Sequence, residues 1–195
     1  NRHEDVRERT INSMLERYRV DREQAANVEA TAVSLWRQVA PAWQLDAEAK
    51  ELLLRWAAQL HEIGLSIAHN QYHRHGAYLL EHSDMAGFSR QAQQELATLV
   101  RCHRRKITDD LFTALPVEKV PLLKRLVVLL RLAVVLHHAR TVVLPETIQL
   151  AVQEQALRLR FGDQWLSRHP LSVADLEAEK GFLSKLGFTL DFQDL

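Results

Sequence analysis

A histidine and a carboxylate stand side by side at the end of an apolar stretch. Residues 52–64 read LLLRWAAQLHEIG, and His61 and Glu62 close the apolar run shortly before Gly64. Both side-chain types bind divalent metals, and a metal that keeps one coordination position open for water can hydrolyse phosphate esters. The pair therefore predicts either half of a metal-dependent hydrolytic site or the remnant of one that has lost its other ligands.

A second chemical signal in the sequence is cationic. The segment RCHRRK (101–106) carries three arginines and a lysine without an acid, and YHRH (72–75) is also rich in protonatable groups. At least two of the three guanidinium groups can share a helix face, and a guanidinium binds phosphate through paired hydrogen bonds without losing its charge. The segments predict a phosphate-binding surface; the alternative is a solvated helix end whose cations complement the helix dipole.

The composition limits the class of protein. The chain has 195 residues, of which 47% are hydrophobic and 26% charged, as in a globular protein with one core or a main domain and a small appendage. The 25 basic and 25 acidic residues cancel, so only local clusters can attract a polyanion. The single cysteine, Cys102, cannot form an internal disulfide, which indicates a reducing compartment and predicts a cytoplasmic location. The most apolar run, 120–136, contains three basic residues, so we expect a buried helix there and no membrane span.

Helical periodicity dominates the first 140 residues. Apolar residues recur four apart from Val6 to Tyr18, which predicts an amphipathic first helix. Asp21 should cap a second helix that Pro41 ends, and Asp46 should cap the helix that carries the His-Glu pair. Three further helices are expected over residues 75–82, 89–103 and 121–136.

After Pro145 the hydrophobic period changes to two. TIQLAVQE (147–154) and ALRLRF (156–161) alternate like half-buried strands, and they should form a hairpin that turns at Glu154 and Gln155.

The remaining tail completes a small second unit. A helix is expected over residues 170–187 and a third strand over 188–192. The predicted fold class is mainly α, with a helical bundle over 1–143 followed by a small α+β module over 144–195 that contains an antiparallel sheet.

Three motifs resemble one bacterial family. RHEDVRERT (2–10), LLLRWAAQLHEIGLSIAHNQYHRHGAYLLEHSDMAGFS (52–89) and LATLVRCHRRK (96–106) occur in the order found in the C-terminal part of the exopolyphosphatase and guanosine pentaphosphate phosphatase family. The stretches HRHGAYLL and VRCHRRK resemble the exopolyphosphatase branch more than the guanosine pentaphosphatase branch.

The resemblance implies that catalysis takes place outside this chain. Family members have two N-terminal domains of actin-like fold with a magnesium-dependent phosphohydrolase site, and the six scattered glycines here match none of their phosphate-binding loops. The chain would be the noncatalytic polyphosphate-binding and dimerisation part of an exopolyphosphatase. Its partners would be inorganic polyphosphate, its own N-terminal catalytic domains and a second copy, with no nucleic acid and no membrane insertion. It would hold no cofactor, while the parent enzyme would use magnesium.

The resemblance also bears on the His-Glu pair. The family's helical domain is similar to the HD phosphohydrolase fold, in which an early His, a His-Asp pair and a late Asp bind a divalent metal. The pair falls on His61 and Glu62, the early His on Gln24 and the late Asp on Val134. An amide is a poor metal ligand and valine is none, so these four positions are interpreted as degenerate, with no metal bound.

Other histidines could complete a metal site. His137 and His138 lie a helical turn beyond Val134, and could replace the late ligand only in principle. A denser group follows the His-Glu pair, but its spacing matches no zinc signature, so we expect helix-end and surface residues: His69, His73, His75 and His82.

Three functional alternatives remain beside polyphosphate binding. They are a metal-dependent HD-type phosphohydrolase acting on nucleotides, the matching part of a guanosine pentaphosphate phosphatase, and a scaffold module whose four tryptophans form an interface instead of packing in the core. The candidate polyphosphate ligands are Arg74, His75, Arg101, His103, Arg104, Arg105 and Lys106. Three basic residues of the apolar helix could serve instead if exposed: Lys124, Arg125 and Arg131.

Overall fold

Seven α-helices and three strands make up the computed structural model, which describes residues 2–45 and 48–195, with side chains from Val6 onward. The helices are α1 (Arg2–Arg17), α2 (Arg22–Trp43), α3 (Glu48–Leu60), α4 (Tyr72–His82), α5 (Arg90–Arg101), α6 (Val120–Leu136) and α7 (Pro170–Lys185). The strands are β1 (Ile148–Gln153), β2 (Ala156–Phe161) and β3 (Thr189–Asp194). The predicted class, mainly α with a small α+β module, is confirmed. The predicted cap Asp46 lies outside the described residues.

The limits of α2 are set by a side-chain cap and by tertiary packing. Asp21 caps the N-terminus as predicted, since its carboxylate accepts from the Gln24 amide at 3.1 Å. The prediction that Pro41 ends this helix is wrong, because α2 continues to Trp43. Proline removes one amide donor, but Trp43 is buried two residues later and its indole donates to the Glu154 carbonyl at 2.9 Å. Tertiary packing therefore holds the last turn, and left-handed Gln44 ends it.

The apolar run forms α6, which is buried around most of its circumference. The buried residues of this helix are apolar except for Arg131, which is 1% exposed. This confirms the prediction of a helix enclosed by protein. Across the described ranges, no helix is long and apolar enough to cross a membrane.

Gly64 allows α4 to approach the end of α3 closely. His61 and Glu62 lie in the turn that follows α3, and Gly64 belongs to the short 3-10 segment after it. A Cβ on Gly64 would overlap the Tyr72 carbonyl oxygen at 1.9 Å and lie 2.6 Å from the Gly76 amide nitrogen. The first turn of α4 is therefore seated directly against the turn that carries the His-Glu pair.

The sheet is mixed, with β2 in the centre. The predicted hairpin is confirmed, since β1 and β2 pair antiparallel with Leu150 opposite Leu159. The expectation of a wholly antiparallel sheet is wrong, because β3 pairs parallel to β2, with Leu157 opposite Leu190. The parallel pairing follows from α7, which connects β2 to β3 along the chain. The helix returns the chain to the end of the sheet at which β2 began, as helical crossovers do.

The module packs on the bundle through α2 and α6. The Gln38 amide on α2 accepts from Leu150 N at 2.8 Å and donates to Ile148 O at 3.1 Å, so it covers part of the β1 edge. On α6, Arg131 donates to the buried Glu179 carboxylate of α7 at 2.6 and 3.0 Å. Apolar residues of both parts form one continuous core. The division at residue 143 into two independently folding units stays a prediction.

Candidate functional site: a cationic cavity beside degenerate metal positions

A cavity of about 380 Å³ opens between the start of α4 and the chain that follows α5. Cations dominate its lining, and none of the described residues that line it carries a carboxylate. The lining residues are Asn70, Gln71, His73, Arg74, Arg101, Arg105 and Lys106. The structure thus brings together the two cationic segments that the sequence placed 26 to 34 positions apart, between residues 72 and 106.

Two left-handed residues shape the walls of this cavity. Gln71 precedes α4 with φ 57°, and Arg105 has φ 65° in the reversal after α5. A residue with a side chain pays about 1–2 kcal/mol for that conformation, so surrounding contacts must hold both turns. The reversal at Arg105 turns the chain back toward α4, which places Arg101 and Lys106 on the same cavity.

The cations of the cavity are not neutralised by acids. Within the described part of the chain, neither Arg74 nor Arg101, Arg105 or Lys106 forms an ion pair with a carboxylate. Burial, followed by repulsion from Arg74, lowers the pKa of Arg101, and Cys102 and then Asp110 oppose the shift. An incoming anion would relieve this repulsion.

Arg104 and His103 lie behind the cavity wall. The Arg104 guanidinium covers the Tyr72 ring, 4.4 Å from its centroid, and Nη1 donates to His73 Nδ1 at 3.3 Å. His103 is 1% exposed, donates from Nδ1 to Val100 O at 2.5 Å and accepts at Nε2 from the Tyr72 hydroxyl at 3.2 Å. Both residues therefore support the wall rather than line it.

Four of the seven predicted phosphate ligands line the cavity, and His75 is not among them. No pattern in the sequence pointed to Asn70 and Gln71. His73 lies in the first turn of α4, as a helix-end residue, but it is 3% exposed and therefore not a surface residue. Its position next to Arg74, within the cationic segment 72–75, was the signal that could have identified it as a cavity residue.

The basic residues of α6 contact the protein instead of the cavity. Lys124 pairs with Asp109, Arg125 donates to the Trp43 carbonyl at 2.7 Å, and Arg131 binds Glu179.

Arg140 lies next to the degenerate metal positions and pairs with one of them, Glu62. Glu62 is 8% exposed, and its Oε2 accepts from Arg140 Nη2 at 2.5 Å, while Arg140 Nη1 donates to Asp21 Oδ2 at 3.0 Å. His61 donates from Nδ1 to Ala58 O at 2.5 Å. A guanidinium thus pairs with the carboxylate that would otherwise face a metal.

The remaining positions do not fit a divalent ion. Gln24 donates its amide to the His137 carbonyl at 2.9 Å, and Val134 offers no donor atom. His137 contacts the Thr31 hydroxyl through Nε2 at 2.7 Å, and His138 pairs with Asp175. Among residues 2–45 and 48–195, no group of three or more His, Cys, Asp or Glu side chains could hold a metal ion.

Burial keeps several histidines of this region neutral. It lowers the pKa of His61, His103 and His137, and at His61 the neighbouring Glu62 carboxylate opposes the shift. Burial, and then Arg101, lowers the pKa of His73 to about 4. The neutral imidazoles of His73 and His103 therefore lie beside the cationic residues of the cavity.

Comparison with known sequences supports one family. The family model described as Ppx/GppA phosphatase, domain III, matches residues 6–180. Proteins named guanosine-5'-triphosphate,3'-diphosphate pyrophosphatase are similar: that of Pseudoalteromonas translucida is 38% identical over 187 residues, 95% of this chain and 37% of the relative. The Vibrio cholerae protein is 38% identical over 197 residues, which cover 98% of this chain and 38% of the relative. The Vibrio atlanticus protein is 35% identical over 198 residues, which cover 100% of this chain and 39% of the relative. The chain thus spans under two fifths of these relatives, and it belongs to the Ppx/GppA phosphatase family.

Proposed function

We propose that the cationic cavity binds a phosphate chain and holds it while hydrolysis takes place on N-terminal domains of the kind that the family carries. The observation that supports this role is the convergence of Arg74, Arg101, Arg105 and Lys106 on one cavity without a carboxylate. Guanidinium groups donate paired hydrogen bonds to phosphate, and several cations in a row match an anion with repeated charges. The part described here would be noncatalytic.

Inorganic polyphosphate is the ligand that the lining favours. Its chain carries about one negative charge per phosphate, and a cationic groove releases the counterions condensed along it. Recognition of a nucleobase usually adds a stacking surface, yet the Tyr72 ring beside the cavity is already covered by Arg104. None of the described residues that line the cavity is Phe, Tyr or Trp, so the lining offers mainly charge and amides.

A guanosine polyphosphate is the second candidate, because the relatives carry a pyrophosphatase name with that substrate. Its 5'-triphosphate and 3'-diphosphate could contact the same cations. Asn70 and Gln71 would be the nearest amide groups for hydrogen bonds to the base or ribose. Competition between the two ligands for the same protein discriminates between them.

The proposal is tested with a double substitution of two exposed lining residues, Arg74→Ala with Arg105→Ala. Because both side chains are exposed and screened by solvent, the two charge-assisted contacts together should contribute about 1.5–3 kcal/mol, so we expect the affinity for long-chain polyphosphate at low salt to fall by about 10- to 100-fold. The slope of log affinity against log salt should decrease by roughly 1 to 2, because two phosphate contacts are lost. The measurement is an equilibrium titration at several salt concentrations.

A matched control removes the same charge elsewhere. Arg9 and Arg17 are exposed on α1 and border a different cavity. The variant with both replaced by Ala should bind like the unaltered chain. Equal affinities for all three proteins would refute the assignment of the cavity, and stronger competition by the guanosine ligand than by polyphosphate would favour the second candidate.

Dimerisation is a separate part of the proposal. Trp43, Trp56 and Trp165 are buried in the core and Trp36 is half-buried, so an interface would have to use other surfaces. Sedimentation of the chain with and without polyphosphate measures its state. A tight dimer that binds no polyphosphate at low salt would favour the scaffold function instead.

A further inference from the structure

His73 is a titratable side chain at the base of the cationic cavity. It is 3% exposed, and it belongs to the cavity lining. His73 therefore lies next to the place where an anion would bind.

The hydrogen bond from Arg104 fixes which ring nitrogen of His73 carries the proton. Arginine only donates hydrogen bonds, so Nδ1 of His73, 3.3 Å from Arg104 Nη1, must be the acceptor. The proton of the neutral ring is then on Nε2. Within the described ranges, no protein group is hydrogen-bonded to that Nε2, which leaves an N–H donor for a ligand.

The charged groups around His73 are all positive. From α4, the neighbours are Tyr72 and Arg74; from α5 and the chain after it, they are Arg101, His103, Arg104, Arg105 and Lys106. His103 is neutral, since burial holds its pKa well below the ordinary value, and burial raises the pKa of Tyr72 so that its hydroxyl stays protonated. No carboxylate among these neighbours stabilises an imidazolium, and burial with the surrounding arginines lowers the pKa of His73 to about 4.

We infer that His73 is a further ligand-binding residue, which donates from Nε2 to a bound phosphate. As the phosphate chain enters, His73 takes up a proton at Nδ1, and the Arg104 guanidinium gives up its hydrogen bond to Nδ1 and turns to the phosphate. The inference rests on the proposed function of the cavity. A polyanion neutralises the surrounding arginines and places negative charge next to the ring, and both effects favour the cationic form. Ligand and proton then strengthen each other's binding, as linkage requires.

Proton uptake distinguishes His73 from the other lining residues. Arginine and lysine are already charged at neutral pH, so they can bind phosphate without exchanging a proton. His73 alone among the described lining residues can change its charge between pH 5 and 7. The cavity would consequently bind phosphate chains more strongly as the pH falls.

The experiment is a calorimetric titration of the whole chain with long-chain polyphosphate at about pH 6, in two buffers of different ionisation enthalpy. The difference in apparent heat gives the number of protons taken up per site. The test variant is His73→Asn, whose amide oxygen can still accept from Arg104 but cannot titrate. The control is His82→Asn, at the exposed far end of the same helix.

We expect the unaltered chain and H82N to take up a fraction of a proton that grows as the pH is lowered, and to gain affinity by at most about tenfold per pH unit. H73N should bind with less uptake and with a flatter dependence on pH. Subtracting H73N from the unaltered chain removes the protons that polyphosphate itself exchanges.

Each outcome has a defined meaning. Binding by the unaltered chain with the same uptake as H73N overturns the role of His73 and leaves the proposed function standing. Absence of binding by every protein overturns the proposed function itself. If H73N does not fold, His73→Gln replaces it, and binding by the unaltered chain without any uptake between about pH 5.5 and 7 overturns the inference without a variant.

Discussion

The Arg140 guanidinium and the Glu62 carboxylate form a hydrogen-bonded ion pair at 2.5 Å, with the carboxylate buried and the guanidinium partly exposed. A buried carboxylate needs a compensating charge or it destabilises the folded state. In a metal-dependent site that charge would come from a divalent ion. Here an arginine 78 positions along the chain provides it, and Asp21 holds the same guanidinium from the other side.

Removal of this arginine should destabilise the fold. We expect Arg140→Ala to lower the free energy of unfolding by about 1–3 kcal/mol, less than for a fully buried pair because the guanidinium is partly solvated. Adding Glu62→Gln to that variant should recover part of the loss, since no unpaired charge then remains buried. Urea unfolding of the unaltered chain and the two variants measures both effects. Equal stabilisation of the unaltered chain and R140A by manganese would instead show that the pair binds a metal.

The ion pair of Arg131 with Glu179 connects α6 to α7 within the core. Burial raises the pKa of Glu179, and the hydrogen bond from Arg131 opposes that shift. We expect Glu179→Ala to lower the free energy of unfolding by about 3–5 kcal/mol, because Arg131 would remain buried without its partner. The double variant Arg131→Met with Glu179→Leu should be much closer to the unaltered chain in denaturant unfolding. A double variant as unstable as E179A would show that the charges themselves hold the two helices together.

Gly64 should tolerate no side chain. Because a Cβ would overlap backbone atoms of Tyr72 and Gly76, Gly64→Ala must displace α4. We expect this change to lower the free energy of unfolding by about 1–3 kcal/mol. Gly181 in α7 is the matched control, since nothing lies within 4 Å of its Cβ position. There the same change should stabilise by about 0.5–1 kcal/mol through helix propensity. Thermal unfolding of both variants measures the contrast, and similar effects of the two changes would argue against the close approach.

The buried histidines should make stability depend on pH. The pKa values of His61, His73, His103 and His137 are lowered in the folded state from the ordinary 6.5. Below pH 6.5 the unfolded chain therefore binds more protons than the folded one, so stability is complete above that pH and is lost as the pH falls.

The size of this effect is measurable by urea unfolding at pH 7, 6 and 5. Each histidine that remains neutral contributes up to about 1.4 kcal/mol per pH unit below its unfolded pKa. His103→Asn, which keeps a donor near Val100 O, should flatten the dependence. A free energy of unfolding that is constant over this range would contradict the burial of neutral rings.

Local patterns predicted most of the elements but not their arrangement. The period of two over β1 and β2 is a property of consecutive residues, and so is the apolar run of α6, so both could be read from the sequence. The parallel pairing of β3 depends on where α7 packs, which no local pattern encodes. In the same way, the contact that carries α2 past Pro41 joins Trp43 to Glu154, 111 positions away.

The candidate site could be predicted in part for the same reason. The arginines of 101–106 stand together in the sequence, so their charge was visible there. The burial of His73 was not, because it requires the close seating of α4 at Gly64. Arg140 was missed altogether, since nothing near position 140 indicates that it reaches Glu62.

The crossover that makes β3 parallel to β2 also orders events during synthesis. A nascent chain that has emerged only as far as the hairpin presents β2 with one open edge, and that edge stays open until α7 and the strand after it leave the ribosome. Open strand edges pair with other chains. The edge of β2 that could pair with another chain is therefore covered only once both α7 and β3 are in place.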